Sequence, residues 1–100
     1  MDCVSLGKIM ISDKTQEALV ILQEECAEVI QAVSKCYRVG LDNAHKSGLT
    51  QRANLEMEVG DMLALVDILI EQGVVDLNNL TTAKANKIEK LKIWSKLYET

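Results

Sequence analysis

The sequence predicts an all-α fold, with long antiparallel helices forming a core of the four-helix-bundle type that is completed by oligomerisation. Three observations carry this. The 100 residues contain no proline and only five glycines, which suits long uninterrupted helices better than a sheet rich in turns. Apolar residues make up 48%, yet there is no Phe and aromatic residues are 3%, so the core is built from Leu, Ile, Val, Ala and Met. Those residues recur at helical spacing across three stretches separated by the only obvious turn signals. The length suits one small domain spanning 1–100.

Residues 1–11 are mildly apolar and fit either a short helix or an extended arm. Asp13, with Gln16 three residues on, reads as a helix N-cap and capping-box partner. The pattern then stays helical over 14–38, with Gly40 as the stop. Residues 39–49 hold two glycines and a cluster of polar turn residues, and form the clear loop. His45 and Lys46 lie in it; a solvated loop is the plain reading, closure over an anionic ligand the sharper one. Thr50 caps a second helix at 51–72, ended by Gly73. Its polar stripe carries Arg52, Glu56 and Asp67. Asn78 is the expected cap of a third helix over 79–98, which carries Leu80, Ala83, Ile88, Leu91, Trp94 and Leu97 alongside five lysines.

The net charge of −4 argues against a grip on a nucleic-acid polymer through Lys and Arg. An anionic small molecule is still compatible, because divalent metals invert a local field. Cys3, Cys26 and Cys36 are odd in number and widely spaced, without a CxxC pair, so they read as free thiols in a reducing compartment. No secretory signal and no apolar run long enough for a membrane span is evident, and the expectation is a cytoplasmic protein without a membrane partner. A chain this short leaves its amphipathic helices under-covered, which predicts a homodimer or homotetramer.

The anomaly lies in the acidic residues. With about 100° per residue, Ala18, Ile21, Leu22, Val29, Ala32 and Cys36 fall within about 60° of Glu25 on a helical wheel. Glu25 therefore points along the middle of the face to be buried, with Glu28 at its edge. Glu58 likewise centres on Leu55, Met62, Leu65 and Leu69, with Asp61 at the edge. Uncompensated charges there cost several kcal/mol each. Surface glutamates on a misjudged face would remove the puzzle, and Lys35 lies where it can pair with one of them. Nothing comparable supplies three more cations. Metal is the third reading: four carboxylates without His or Cys form a hard-oxygen set suited to Mg²⁺, with Mn²⁺ able to substitute, and Mg²⁺ commonly shares its shell with substrate phosphates. An EF-hand lacks its loop, and a di-iron site lacks its histidines, since His45 is the sole one.

At this point the residues resemble a known family. Glu24-Glu25-Cys26-Ala27-Glu28 is similar to the EExxE signature, and Glu58-Val59-Gly60-Asp61 to the ExxD signature, of the MazG-like all-α nucleoside triphosphate pyrophosphohydrolases. The flanks LQEECAEVIQAVSK and NLEMEVGDMLALVDIL resemble that family's two metal-binding helices, and TTAKANKIEKLKIW its later helix bearing Lys and Asn. The resemblance covers roughly residues 17–96. Two departures stand out: 29 residues separate Glu28 from Glu58, and Glu56 with Glu58 replaces an adjacent Glu-Glu pair.

The resemblance implies hydrolysis of a (deoxy)nucleoside triphosphate to the monophosphate and pyrophosphate. Glu25, Glu28, Glu58 and Asp61 would hold Mg²⁺, and Glu24 or Glu25 would serve as general base. Lys35, Arg38, Lys84 and Lys87 are the candidate phosphate contacts, and Asn54 and Asn86 the candidates for reading base or sugar. Tyr37 and Trp94 are candidates for stacking on a base. Two alternatives accompany this reading: a non-catalytic helical module whose acidic face binds a basic partner, and a related pyrophosphohydrolase acting on another nucleotide diphosphate compound.

Overall fold

The computed structural model describes residues 11–100; the arm-or-helix alternative for the first residues lies outside them, as does Cys3. Three helices follow in order: α1 (Asp13–Val39), α2 (Gln51–Glu71) and α3 (Leu77–Trp94). The chain is all-helical among the described residues, apart from an isolated antiparallel bridge, Ala44 to Thr50, in the α1–α2 loop.

Local chemistry sets each boundary. Ser12, not Asp13, caps α1: it is extended, and its hydroxyl accepts from the Thr15 amide at 3.1 Å. Either residue can cap, and the helix starts one residue sooner because Asp13 is left free to add negative charge at the positive end of the helix dipole. Gly40 terminates α1 at φ 102°, a conformation L side chains rarely adopt, with its amide on the Cys36 carbonyl at 3.0 Å. Thr50 caps α2 as expected, accepting from the Ala53 amide at 3.1 Å. At the other end Gly73 (φ 74°) donates to the Ile70 carbonyl at 3.0 Å and Val74 to that of Leu69 at 2.9 Å, a Schellman closure. The third helix departs most from expectation. Asp76, not Asn78, is its cap, accepting from the Asn79 amide at 3.0 Å, and it stops at Trp94, where Ser95 turns extended.

The helices α1 and α2 form an antiparallel hairpin. Thr15 Oγ1 meets Gln72 Oε1 at 3.3 Å at one end, and Cys36 Sγ lies 3.8 Å from the Gln51 carbonyl at the other. These contacts are 21 residues apart on both helices, so the register does not drift, and residue 25 comes level with residue 62. The interface is lined by the stripe the wheels identify: Ala18, Ala32 and Leu69 are buried, with Ile21, Leu22, Val29, Leu55, Met62 and Leu65 half-buried around them. Small residues on α1 let the two backbones approach. The loop between the helices is pinned at its base by Arg52, whose Nε and Nη2 donate to Asp42 Oδ1 and Oδ2 at 3.0 and 3.2 Å.

The third helix leans against the outer face of α2 and buries none of its residues. Between them lies a groove of about 440 Å³ whose walls include Leu63, Asp67, Ile70, Leu80, Lys84 and Lys87. The apolar pattern of α3 is therefore genuine, but most of it is uncovered within one chain. Ile93 is 77% exposed and Trp94 81%.

Candidate metal centre

The hairpin's register decides which carboxylates meet. Glu25 projects from α1 towards α2, where Glu58 and Asp61 lie one helical turn apart on the same side. Each of the three offers an oxygen, and these oxygens all lie within 4.8 Å of one another. Glu25 and Glu58 are half-buried and Asp61 is exposed, the centre-and-edge order expected from the two wheels. All the donors are hard oxygens contributed by rigid helices, the donor set suited to Mg²⁺ or Mn²⁺ and not to thiolate- or imidazole-seeking metals.

The electrostatics match that geometry. The Glu25 carboxyl is raised above its usual 4.5, first by loss of solvent and then by the negative charges of Asp61, Glu58, Glu28 and Glu24. Among the described residues no lysine or arginine ion-pairs with the cluster to offset this crowding. Among the described residues the ion pairs are Arg52–Asp42 and Lys92–Glu89, and neither touches the cluster.

The remaining candidates divide by position. Glu28 is exposed one turn further along α1 and lies outside the three-carboxylate group, although its charge reaches Glu25. Glu24 is exposed on the flank of α1. Lys35 is half-buried, and exposed Arg38 donates from Nε to Ser34 Oγ at 3.3 Å. Asn54 is only 4% exposed, at the foot of α2. On α3, Lys84, Asn86 and Lys87 are exposed, and the two lysines line the α2–α3 groove. The structure thus gathers Glu25, Glu58 and Asp61, and leaves the α3 residues on another side of α2. Tyr37 and Trp94 are both highly exposed.

One polar feature near the loop escaped the sequence reading. Gln51 is 3% exposed, and its Nε2 donates to the Ala44 carbonyl at 2.8 Å while its Oε1 has no partner. A glutamine directly after a helix cap carries no sequence signal for burial; only the loop folding back over it creates one.

The comparisons bear on the same stretch of chain. The MazG nucleotide pyrophosphohydrolase domain model matches residues 14–92, a span that contains all three helices nearly complete. No curated protein and no solved structure matches the chain. With most of its length matched, and with the carboxylates of its two long helices brought face to face, the chain belongs to the MazG nucleotide pyrophosphohydrolase domain family.

Proposed function

We propose that this protein hydrolyses a (deoxy)nucleoside triphosphate between its α and β phosphates, releasing the monophosphate and pyrophosphate, in a reaction dependent on Mg²⁺ or Mn²⁺. The observation that carries the reading is the convergence of Glu25, Glu58 and Asp61 from two helices to within 4.8 Å. So close a set of like charges is unfavourable alone and favourable around a divalent cation. Glu25, Glu58 and Asp61 would hold the ion, with Glu28 at the rim reaching it through water or substrate. Bound there, the ion supplies charge neutralisation for the triphosphate and acidifies water.

The side chains divide the remaining work. Glu24, exposed and outside the three-carboxylate group, takes the proton of the attacking water. Lys35 and Arg38 on the same helix bind phosphate oxygens.

Pyrophosphate release from a panel of common and modified (d)NTPs, with and without Mg²⁺, tests the proposal. Glu58→Gln and Asp61→Asn are expected to lower turnover by more than about 100-fold, beyond the 10–100-fold typical of outer-shell metal partners, with helicity retained. Wild-type protein that turns over no (d)NTP in either metal refutes it, and turnover confined to another nucleotide diphosphate compound moves the substrate class.

A further inference from the structure

We propose that the cavity between the first turns of α1 and the last turns of α2 holds the substrate's nucleobase, and that Glu17 on its rim selects bases bearing an exocyclic amine. This rests on the function proposed above and adds to it the direction in which the substrate lies and a residue that chooses the base.

The cavity has a volume of about 330 Å³, and its walls include Lys14, Glu17, Ile21, Leu65, Ile68 and Gln72. Small-ligand sites begin at about 300 Å³, so there is room for one base and little more. Helical geometry relates the cavity to the carboxylates. Around α1, Glu17 and Ile21 are turned about 80° and 40° from Glu25, in the same sense as Glu28 at about 60°. Around α2, Ile68 and Gln72 are turned about 80° and 40° from Glu58, in the same sense as Asp61 at about 60°. In an antiparallel pair packed through the Glu25 and Glu58 faces, equal rotations lead to one side of the hairpin. The cavity therefore opens on the side where Asp61 is exposed. Ile21 precedes Glu25 by four residues and Leu65 follows Asp61 by four, which sets the near wall ~6 Å along the hairpin from the carboxylates. A sugar and base extending from an α-phosphate at the cluster run straight into it.

The opposite end of the hairpin suits the phosphates. Towards the loop the interface is closed, with Ala32, Asn54 and Gln51 only 2%, 4% and 3% exposed. Lys35 stands at that end, turned about 80° from Glu25 in the sense of Glu28 and ~10 Å beyond Glu28 along α1. The cation receives the β and γ phosphates, and the apolar walls at the other end receive the base. The rim then decides which base. Gln72 is committed to α1: its Oε1 accepts from Thr15 Oγ1 at 3.3 Å, and its Nε2 donates to the Lys14 carbonyl at 3.5 Å. Glu17 is exposed, and a carboxylate only accepts. Adenine, cytosine and guanine offer it an exocyclic N–H, whereas thymine and uracil present carbonyl oxygens that it repels.

Two measurements on the full chain decide the matter. In the first, kcat/KM is measured with Mg²⁺ for dATP, dCTP, dGTP, dTTP and dUTP. At least one amine-bearing base is expected to exceed both dTTP and dUTP by about tenfold or more. Glu17→Gln, which donates as well as accepts, should cut that preference to about threefold or less, chiefly through KM. A preference for thymine or uracil, equal use of all five, or a preference that Glu17→Gln leaves unchanged overturns selection by Glu17. In the second, metal-free ¹⁵N-labelled protein is titrated with dCMP, dAMP and TMP and followed by amide chemical shifts. The amides of Ile21, Leu65 and Ile68 should move, and Ile21→Trp, which fills the cavity, should abolish the shifts with helicity retained. Shifts centred elsewhere, or none with any of the three monophosphates, overturn the base pocket. Should the wild type turn over no (d)NTP, the hydrolytic reading fails while the titration still judges the pocket.

Discussion

Glu25 is surrounded by carboxylates, and its behaviour with pH follows. Its carboxyl is raised above 4.5, so in the window above that value the folded state holds a proton that the unfolded state has already released. Stability then falls as pH rises through that window, and is greater below it. Calorimetry of metal-free protein should show Tm declining as pH rises above about 4.5 from this group, and Glu25→Gln should raise Tm at neutral pH and flatten the slope. Mg²⁺ should stabilise the wild type more than the variant. A Glu25→Gln protein with the wild-type slope would remove Glu25 from the strained group. Much of this was legible from wheel positions alone, because the burial order of Glu25, Glu58 and Asp61 depends on helical period and little else. Which of four carboxylates converge was not legible. That depends on the register of α2 against α1, which leaves Glu28 outside.

At the scale of elements, the hairpin depends on small residues and on its caps. Ala32 is 2% exposed against α2, with no room for a longer side chain. Ala32→Leu is expected to cost about 1–3 kcal/mol by overpacking, read as a lower denaturant midpoint at unchanged m-value. Thr50→Ala removes the acceptor for the Ala53 amide and should cost about 1 kcal/mol, with Thr50→Ser recovering most of it. Gly40→Ala is strained twice, by its φ of 102° and by a Cβ that would approach Asn43 Nδ2 to 2.7 Å. The sequence marked these helices well where a single residue could act as cap, as at Thr50. It missed by one or two residues where neighbours compete, as with Ser12 against Asp13 and Asp76 against Asn78. The end of α3 was overshot because Leu97 continues the apolar rhythm after Ser95 has broken the backbone pattern.

For the whole molecule, the all-helical class follows from composition, but the three helices among the described residues do not by themselves make a four-helix core. The leucines, isoleucines and tryptophan of α3 obey helical spacing, and spacing cannot say whether the surface that covers them belongs to the same chain. Trp94 is the only tryptophan and is 81% exposed in the single chain. Its emission is expected to shift to the blue as protein concentration rises through the association range, and Trp94→Ala should weaken association seen by sedimentation. Concentration-independent emission from a monomer would speak against docking through this end of α3. No helix among the described residues is long and apolar enough to cross a membrane, so the exposed apolar surface of α3 is too short and too mixed with charge for a span.

The matched spacing of the Thr15–Gln72 and Cys36–Gln51 contacts bears on how the chain tolerates insertions and deletions. Between Glu25 and Val39, or between Gln51 and Asp61, one added residue turns a carboxylate by about 100° relative to the anchoring contact and carries it off the shared face. Between Leu41 and Leu49 an added residue only lengthens a surface turn, at a closure cost of a few tenths of a kcal/mol. Length variation compatible with the site is thus confined to one short window of the chain, and the 29 residues between Glu28 and Glu58 can grow or shrink only there.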